Sequence, residues 1–444
     1  MHLTRRILPL SLLFCLASAV ALQGQSLRAL EKAADKAIAA KDYYTAMVHL
    51  QEALTRAPEK PALLYRYAEV ARRFHAYPQA AKHYRKVLDS READAFPDAL
   101  FHLAEVEKIQ GNYEAAENHF RQFLAEKKGS PSLLERARRE AEACRWAAEL
   151  RPDTAWVVEN LGRRINSPYS DFAALERGDT LYYTSYRFDF KEDSYRPRRR
   201  LAKILSSRRG SRGRTLPRKF NEAQRHTAFT AFSHNGKRIY FAICSYTQGV
   251  NIRCELYYRE KDRRRRWSRQ PVKLPESINL PGFTATQPAI GFDSTLQKEV
   301  LFFASDRPGG KGKLDLWFVT VDGKSFGTPQ NLEALNTPED DLAPFFHTPS
   351  QTLYFSSEGH PGLGSFDVFR AARRASGWGE VVNLGLPFNS SYADLHFTLD
   401  DSGQKGYLSS NRPGSMFLDR EYQACCFDIW RVRKKPPPQP SPES

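Results

Sequence analysis

From Val300 to Thr320 the chain alternates between apolar and polar positions, breaks, and alternates again: VLFFAS, then DRPGGKGK, then LDLWFVT. Two strand-like runs about a Pro- and Gly-rich stretch predict a β-hairpin with a long turn. Pro308 fixes φ there, Gly309, Gly310 and Gly312 can take positive φ at little cost, and Asp315 can accept backbone N–H bonds as the second strand begins. The pattern recurs. Leu353 to Ala371 reads LYFSSEGHPGLGSFDVFRA, and Gly406 to Val432 holds GYLSSNRPG, an insertion and CFDIWRV, which aligns Asp315 with Asp367 and Asp428. Looser copies are RIYFAICSYTQGVNIRCELYY from Arg238 to Tyr258, with Glu255 at the Asp position, and TLYYTS from Thr180 to Ser185 ahead of a basic insertion. A recurrence every roughly 50 to 60 residues is that of four-stranded propeller blades.

The other strands can be placed around these hairpins. AFTAFSHNGK, TQPAIGFDS, LAPFFHTPSQ and LHFTLDDSG precede them as channel-side strands, and RWSRQPVKLPESIN, SFGTPQNLEALNT and GWGEVVNLGLPFN follow as outer strands with an Asn-rich exit. That exit also appears before the first hairpin, in AWVVENLGRRINSPYSD from Ala155 to Asp171, whereas the last hairpin has no outer strand after it. Ala155 to Leu161 is therefore expected to complete the final blade, closing the ring without a free edge. About five blades result, with six as the alternative count.

Ahead of this region the period changes to that of helices. Ala46, Leu50 and Ala53, then Ala80, Tyr84 and Val87, then Ala116, Phe120 and Phe123 mark three second helices. Their partners carry Leu64, Tyr67 and Ala68, then Leu100, Leu103 and Ala104, with Gly111 and Tyr113 at a turn. The small residues let helix axes approach where they cross. This resembles tetratricopeptide repeats, with Tyr43, Tyr44, Tyr67, Tyr84 and Phe120 expected in the core and Ser130 to Leu150 as a capping helix. The fold class expected is multidomain: an all-α repeat solenoid over 26–150, then an all-β propeller over 153–432 closed by the strand at 155–161, then a Pro-rich disordered tail over 433–444.

The motif LYFSS, then RPGG or HPGLG, then D-L-W, D-V-F or D-I-W, resembles the β-propeller repeats of TolB-like proteins of the bacterial envelope. Helical repeats joined to such a propeller, with NLG and INSPYSD elements, are similar to a subgroup often followed by an OmpA-like domain, some members of which belong to type IX secretion. The resemblance implies an envelope protein with envelope proteins as partners, at the outer membrane. Blade one departs from it, with an Arg-rich insertion in place of the Pro-Gly turn.

Met1 to Ala21 fits an exported chain: Arg5 and Arg6, an apolar run from Ile7 to Val20, and an A-x-A site that predicts cleavage after Ala21. Phe14 before Cys15 disfavours lipidation, no later stretch is apolar enough to span a bilayer, and a periplasmic location follows. The 444 residues carry a net charge of +16, gathered in RPRRR at Arg196 to Arg200, in the run from Arg208 to Lys219 and in RRRR at Arg263 to Arg266. Arg198, Arg199, Arg200, Arg263, Arg264, Arg265 and Arg266 are candidate contacts for an anionic glycan, lipopolysaccharide or an acidic partner; export argues against nucleic acid.

Cys244 and Cys254 flank the turn of one hairpin on strands that should pair, which makes them a candidate disulfide. Cys144 reads as buried, and of the adjacent Cys425 and Cys426 one is left free or pairs across the last insertion. No nucleophile elbow, HExxH, phosphate loop or zinc spacing is present in the sequence, so no catalytic residue, metal or cofactor is expected. Asp315, Asp367 and Asp428 recur with the blades and are read as structural, and Glu339-Asp340-Asp341 lacks the further ligands of a calcium loop. With no segment left over for a hydrolase, the expectation is a non-catalytic scaffold of an envelope assembly, or alternatively a binder of anionic glycan through a basic propeller face.

Overall fold

The computed structural model describes residues 26–194, 198–217, 219–264, 266–422, 424 and 426–436. The expected signal peptide with Cys15, Arg196, Arg218 and Arg265 of the basic clusters, Cys425, and residues 437–444 of the expected tail lie outside the described residues. Packing divides the chain into two compact units, one up to Leu103 and one from Ala104 on. The change from helices to strands comes later, between the helix Pro131–Glu149 and the strand Trp156–Asn160.

Seven α-helices are described, the last three of them spanning Ala99–Ile109, Tyr113–Glu126 and Pro131–Glu149. In the first unit, helix starts follow capping chemistry: Ser26 and Asp42 accept from the N–H groups of Ala29 and Thr45, and Pro61 opens Pro61–Arg73, where an N–H would go unused. Ala46, Leu50, Ala53, Tyr67, Ala68, Ala80, Tyr84 and Val87 are buried between helices, as their spacing predicts. Tyr44 departs from that expectation: it is 46 % exposed, with its ring 5.7 Å from that of Phe74.

The second unit holds the end of Ala99–Ile109, the two following helices and five antiparallel sheets, one per blade. Taking strands from the axis outward, blade 1 is Asp171–Arg177, Thr180–Asp189, Arg200–Arg208 and Arg214–Thr215, and blade 2 is His226–Phe232, Arg238–Tyr246, Ile252–Glu260 and Val272–Lys273. Blade 3 begins Ala285–Asp293, Lys298–Ser305, Asp315–Asp322, and blade 4 Asp341–His347, Thr352–Ser357, Asp367–Arg374. Their outer strands are split into pairs of residues, Ser325–Phe326 with Gln330–Asn331 and Gly377–Trp378 with Val382–Asn383. Pro329, which has no N–H to give, stands in the first of these gaps.

Blade 5 is Asp394–Leu399, Lys405–Ser410 and Asp428–Lys434, completed by Trp156–Asn160 from the other end of the domain. Trp156 faces Lys434 and Asn160 faces Trp430, so the ring closes as expected. Arg433 and Lys434, placed in the tail by sequence, belong to this last strand. Apolar clusters fill every junction between neighbouring blades: Ile204 with Phe241, Leu256 with Phe303, Phe302 with Phe355, Tyr354 with Phe397, and Tyr183 with Ile429.

Candidate functional site

Register places equivalent residues of the blades at one level. Asp171, His226, Ala285, Asp341 and Asp394 open the innermost strands and face Ser185, Cys244, Ser305, Ser357 and Ser410. These in turn face Lys203, Cys254, Asp315, Asp367 and Asp428. The alignment of Glu255 with the recurrent Asp is thereby corrected to Cys254. Cys244 and Cys254 are joined by a disulfide. Asp315 accepts from the N–H groups of Lys311 and Gly312, Asp367 from those of Leu363 and Gly364, and Asp428 from that of Met416. A side chain on Gly310 would collide with the Asp315 carboxylate, so the glycine is what lets the turn wrap around it.

Further along each innermost strand the register slips, between Phe172 and Leu175, Ala228 and Ala231, Thr286 and Ala289, Leu342 and Phe345, and Leu395 and Thr398. Each bulge holds a residue in the left-handed region: Ala173 (φ 53°), Phe229 (60°), Gln287 (52°), Ala343 (52°) and His396 (54°). An extra residue in a strand bends it and redirects side chains. Here the five bulges form the floor of a cavity of about 650 Å³ on the propeller axis, whose walls are the remainders of the innermost strands.

Three rings from blades 1, 2 and 5 meet at this floor. The centroids of Phe172, Phe229 and His396 are 5.6, 5.5 and 5.6 Å apart in pairs. Burial drives the His396 imidazole down to about 3, so it is neutral, and both its ring nitrogens are covered without a partner. Thr230, whose hydroxyl is likewise buried and unpaired, stands in the wall.

Carboxylates gather at the opposite, strand-end side of the cavity. Glu176 pairs with Lys405 Nζ at 2.5 Å and accepts from the Tyr407 hydroxyl at 3.1 Å. Asp400 accepts from the N–H groups of Gln404 and Lys405 at 3.0 and 3.1 Å and from the Ser402 hydroxyl at 2.9 Å. Burial opposes its charge, but these donors outweigh burial and hold the carboxyl below its ordinary value. His347 bridges Ser350 Oγ and the Asp400 carbonyl, fixing that turn, and Asp401 beside it is partnered by no group among the described residues. None of these residues carries a motif; only their convergence on the axis marks them.

The basic clusters are paired in part. Arg199 is bound through two nitrogens to Asp193, at 2.6 and 2.9 Å, and lies 4.1 Å over the Tyr246 ring. Arg200 lies 3.7 Å over Tyr169 and pairs with Asp189 at 3.1 Å, and Arg266 pairs with Asp262 at 2.9 Å. Arg198, Arg263 and Arg264 are exposed. Asp193, Asp189 and Asp262 of the same segments are the counter-ions of Arg199, Arg200 and Arg266. Among the described residues no three His, Cys, Asp or Glu side chains converge as a metal site requires, and no helix is long and apolar enough to cross a membrane.

No protein family matches the chain as a whole or in part, and no curated protein matches it. Solved structures similar to it include a thermostable family-43 glycoside hydrolase, 12 % identical over 63 % of this chain and 99 % of that one, with a TM-score of 0.39. An α-L-arabinofuranosidase from Lactobacillus brevis is 14 % identical over 61 % of this chain and 90 % of that one, with a TM-score of 0.38. The Sgt2 tetratricopeptide domain from Aspergillus fumigatus is 21 % identical over 29 % of this chain and 86 % of that one, with a TM-score of 0.24. A helical-repeat region followed by a five-bladed propeller is the architecture of the chain.

Two expectations are corrected at this point. The exclusion of an enzyme assumed that catalysis needs a segment outside the blades, yet these similar propellers are themselves named as glycoside hydrolases. The non-catalytic scaffold loses its basis with that premise. The alternative, a binder of anionic glycan through a basic face, is corrected with it, and of the arginines proposed for that face Arg199, Arg200 and Arg266 are paired within the fold.

Proposed function

We propose that the protein acts on glycans: the axial cavity accepts the end of a saccharide, and Glu176 and Asp401 serve as the carboxylate pair that cleaves its glycosidic bond. The observation that carries this reading is the cavity itself, floored by Phe229 and His396, against which Phe172 packs, and set with carboxylates at the other end. Its volume of about 650 Å³ suits a small ligand. Aromatic residues of the lining, Phe229 in the floor and Phe345 in the wall, suit the apolar side of a sugar ring. Glycoside hydrolysis needs two carboxyl groups, one donating a proton to the leaving oxygen and one acting as base or nucleophile. Asp400 is committed to its turn. Glu176, oriented by Lys405 and Tyr407, suits the base or nucleophile role and leaves proton donation to Asp401.

The work would be done outside the cytoplasm, as Met1 to Ala21 supports, in an envelope protein akin to TolB-like propellers, which its D-L-W and D-V-F motifs resemble, and to the helical-repeat subgroup with NLG and INSPYSD elements, some members of which belong to type IX secretion. Calorimetry with arabinotriose, xylotriose and galactotriose, together with release of nitrophenol from the matching aryl glycosides, tests the reading. At least one trisaccharide should bind, and E176Q and D401N should lower turnover about a hundredfold or more while leaving binding within a few-fold. Absence of both binding and turnover in the unaltered protein across the panel would overturn it.

A further inference from the structure

Three of the bulges that floor the cavity are stitched to a neighbouring blade, and one of these stitches is made differently from the other two. In blade 1 the N–H of Ala173 donates to Ser409 Oγ at 3.0 Å, and in blade 2 that of Phe229 donates to Thr184 Oγ1 at 2.9 Å. Both acceptors stand on the second strand of the preceding blade, immediately before Ser410 and Ser185. The same place in blade 3, immediately before Ser305, is Ala304, which has no hydroxyl. The N–H of Ala343 in blade 4 instead reaches Gln287 Oε1 at 2.7 Å, from the blade 3 bulge itself. That bond decides the orientation of the amide, because only its oxygen can accept.

With the oxygen taken, Gln287 Nε2 is left with two donors, no protein partner among the described residues and a position in the cavity lining. Its neighbours do not compete for it. Ala173 and Ala343 are small, Phe229 is apolar, and the His396 nitrogens are covered. On the reading of the cavity as a saccharide site, we infer that Gln287 is the specificity-determining residue of its floor, and that Nε2 selects a saccharide presenting an acceptor oxygen at its buried end. A site built to hydrogen-bond a ligand group discriminates strongly against ligands lacking it, since the site's donor is then left unpaired.

The purely structural explanation is that Gln287 only replaces the missing hydroxyl of Ala304, and two variants separate the possibilities. Q287E keeps an acceptor for Ala343 N–H and removes the donor. A304S/Q287A restores the serine arrangement seen at Ser409 and removes the donor without adding charge; A304S/Q287M takes its place if the smaller side chain prevents folding. A304S alone is the control. Calorimetry is run with arabinotriose, xylotriose and galactotriose, with thermal melting alongside. The expected result is melting close to the unaltered protein, a loss of affinity of about tenfold or more in both donor-less variants, and, where turnover is measured, a raised KM at nearly constant kcat. Unchanged affinity in both would overturn the assignment of Gln287 and leave the saccharide reading standing. Loss in Q287E alone would also overturn it, since repulsion by the new charge would then explain the effect. Failure of the unaltered protein to bind any of the three would remove both.

Discussion

Asp367 and Asp428 are almost fully buried, at 1 % and 0 % exposure, and their charges are opposed by that burial. Each carboxyl is pushed up to about 6, chiefly by burial, with the neighbouring acids Asp394 and Asp171 respectively adding to the shift and the turn donors opposing it. The folded chain therefore holds these protons more tightly than the unfolded chain, in which an aspartate titrates near 3.9. Stability contributed in this way is complete below about pH 3.9 and is lost as pH rises through about 6. Lowering the pH from 7.5 to 5.5 should consequently strengthen the propeller by about 1 to 2 kcal/mol from these two groups. Urea unfolding at the two pH values checks it, with D367N as the comparison. That variant should be less stable overall, because its amide meets the donors of Leu363, Gly364 and Asn383, and should show a smaller gain on acidification. Equal behaviour of D367N and the unaltered protein between these pH values would assign the effect elsewhere.

Elements are held by a repeated asparagine that finishes what the short outer strands leave undone. Asn166, Asn221, Asn279, Asn336 and Asn389 each accept from the N–H and donate to the carbonyl of one third-strand residue, namely Ile429, Ile204, Leu256, Leu316 and Val368. N389A leaves the Val368 N–H unpaired at a buried site, while the Val368 carbonyl keeps the N–H of Leu384, and should cost about 1 to 3 kcal/mol, read from denaturant midpoints; N389D, which keeps the acceptor but buries a charge, should rescue little of it. The Cys244–Cys254 disulfide, closing a separation of 10 residues, should add about 2 to 4 kcal/mol, lost in C244A/C254A and absent from a mass shift if the thiols are free. These devices were legible in sequence because each demands a residue type: an amide at the exit, a carboxylate and glycines at the turn, facing cysteines on a hairpin. The bulges were not, since Ala173, Phe229, Gln287, Ala343 and His396 share only a backbone conformation imposed by register. The cavity they floor was hidden for the same reason. The partners of Arg199 and Arg200 were not legible either, because Asp189, Asp193 and the rings of Tyr169 and Tyr246 meet them only once the chain is folded.

At the scale of the second unit, the ring depends on one strand contributed from far away in sequence. Trp156–Asn160 pairs with Asp428–Lys434 along its whole length, Glu159 bridges Arg431 and Arg433 at 2.7 and 2.8 Å, and Trp156 packs on Phe388 with centroids 5.0 Å apart. Asn160 Nδ2 also donates to the buried carboxylate of Asp428 at 2.8 Å, so the closing strand reaches the turn as well as the sheet. The surface ion pairs contribute little by themselves, since Glu159 and both arginines are more than a third exposed. The ladder and the apolar contacts of Val158 and Trp156 carry the closure. A proline at Val157, which faces Arg433, fixes φ and removes an N–H from the ladder, because the bonds from Leu161 N–H to the Ile429 carbonyl and from Lys435 N–H to the Ala155 carbonyl make the odd-numbered residues of this strand the bonded ones. V157P should therefore open the fifth blade, expose the edge of Asp428–Lys434 and make the protein associate as its concentration rises. V272P supplies the contrast, because Val272 lies in a two-residue outer strand that links no distant parts of the chain and is 46 % exposed. Light scattering and thermal melting compare the two: a large, concentration-dependent loss in V157P against a small one in V272P is expected, and equal losses would mean that closure adds nothing beyond an ordinary outer strand.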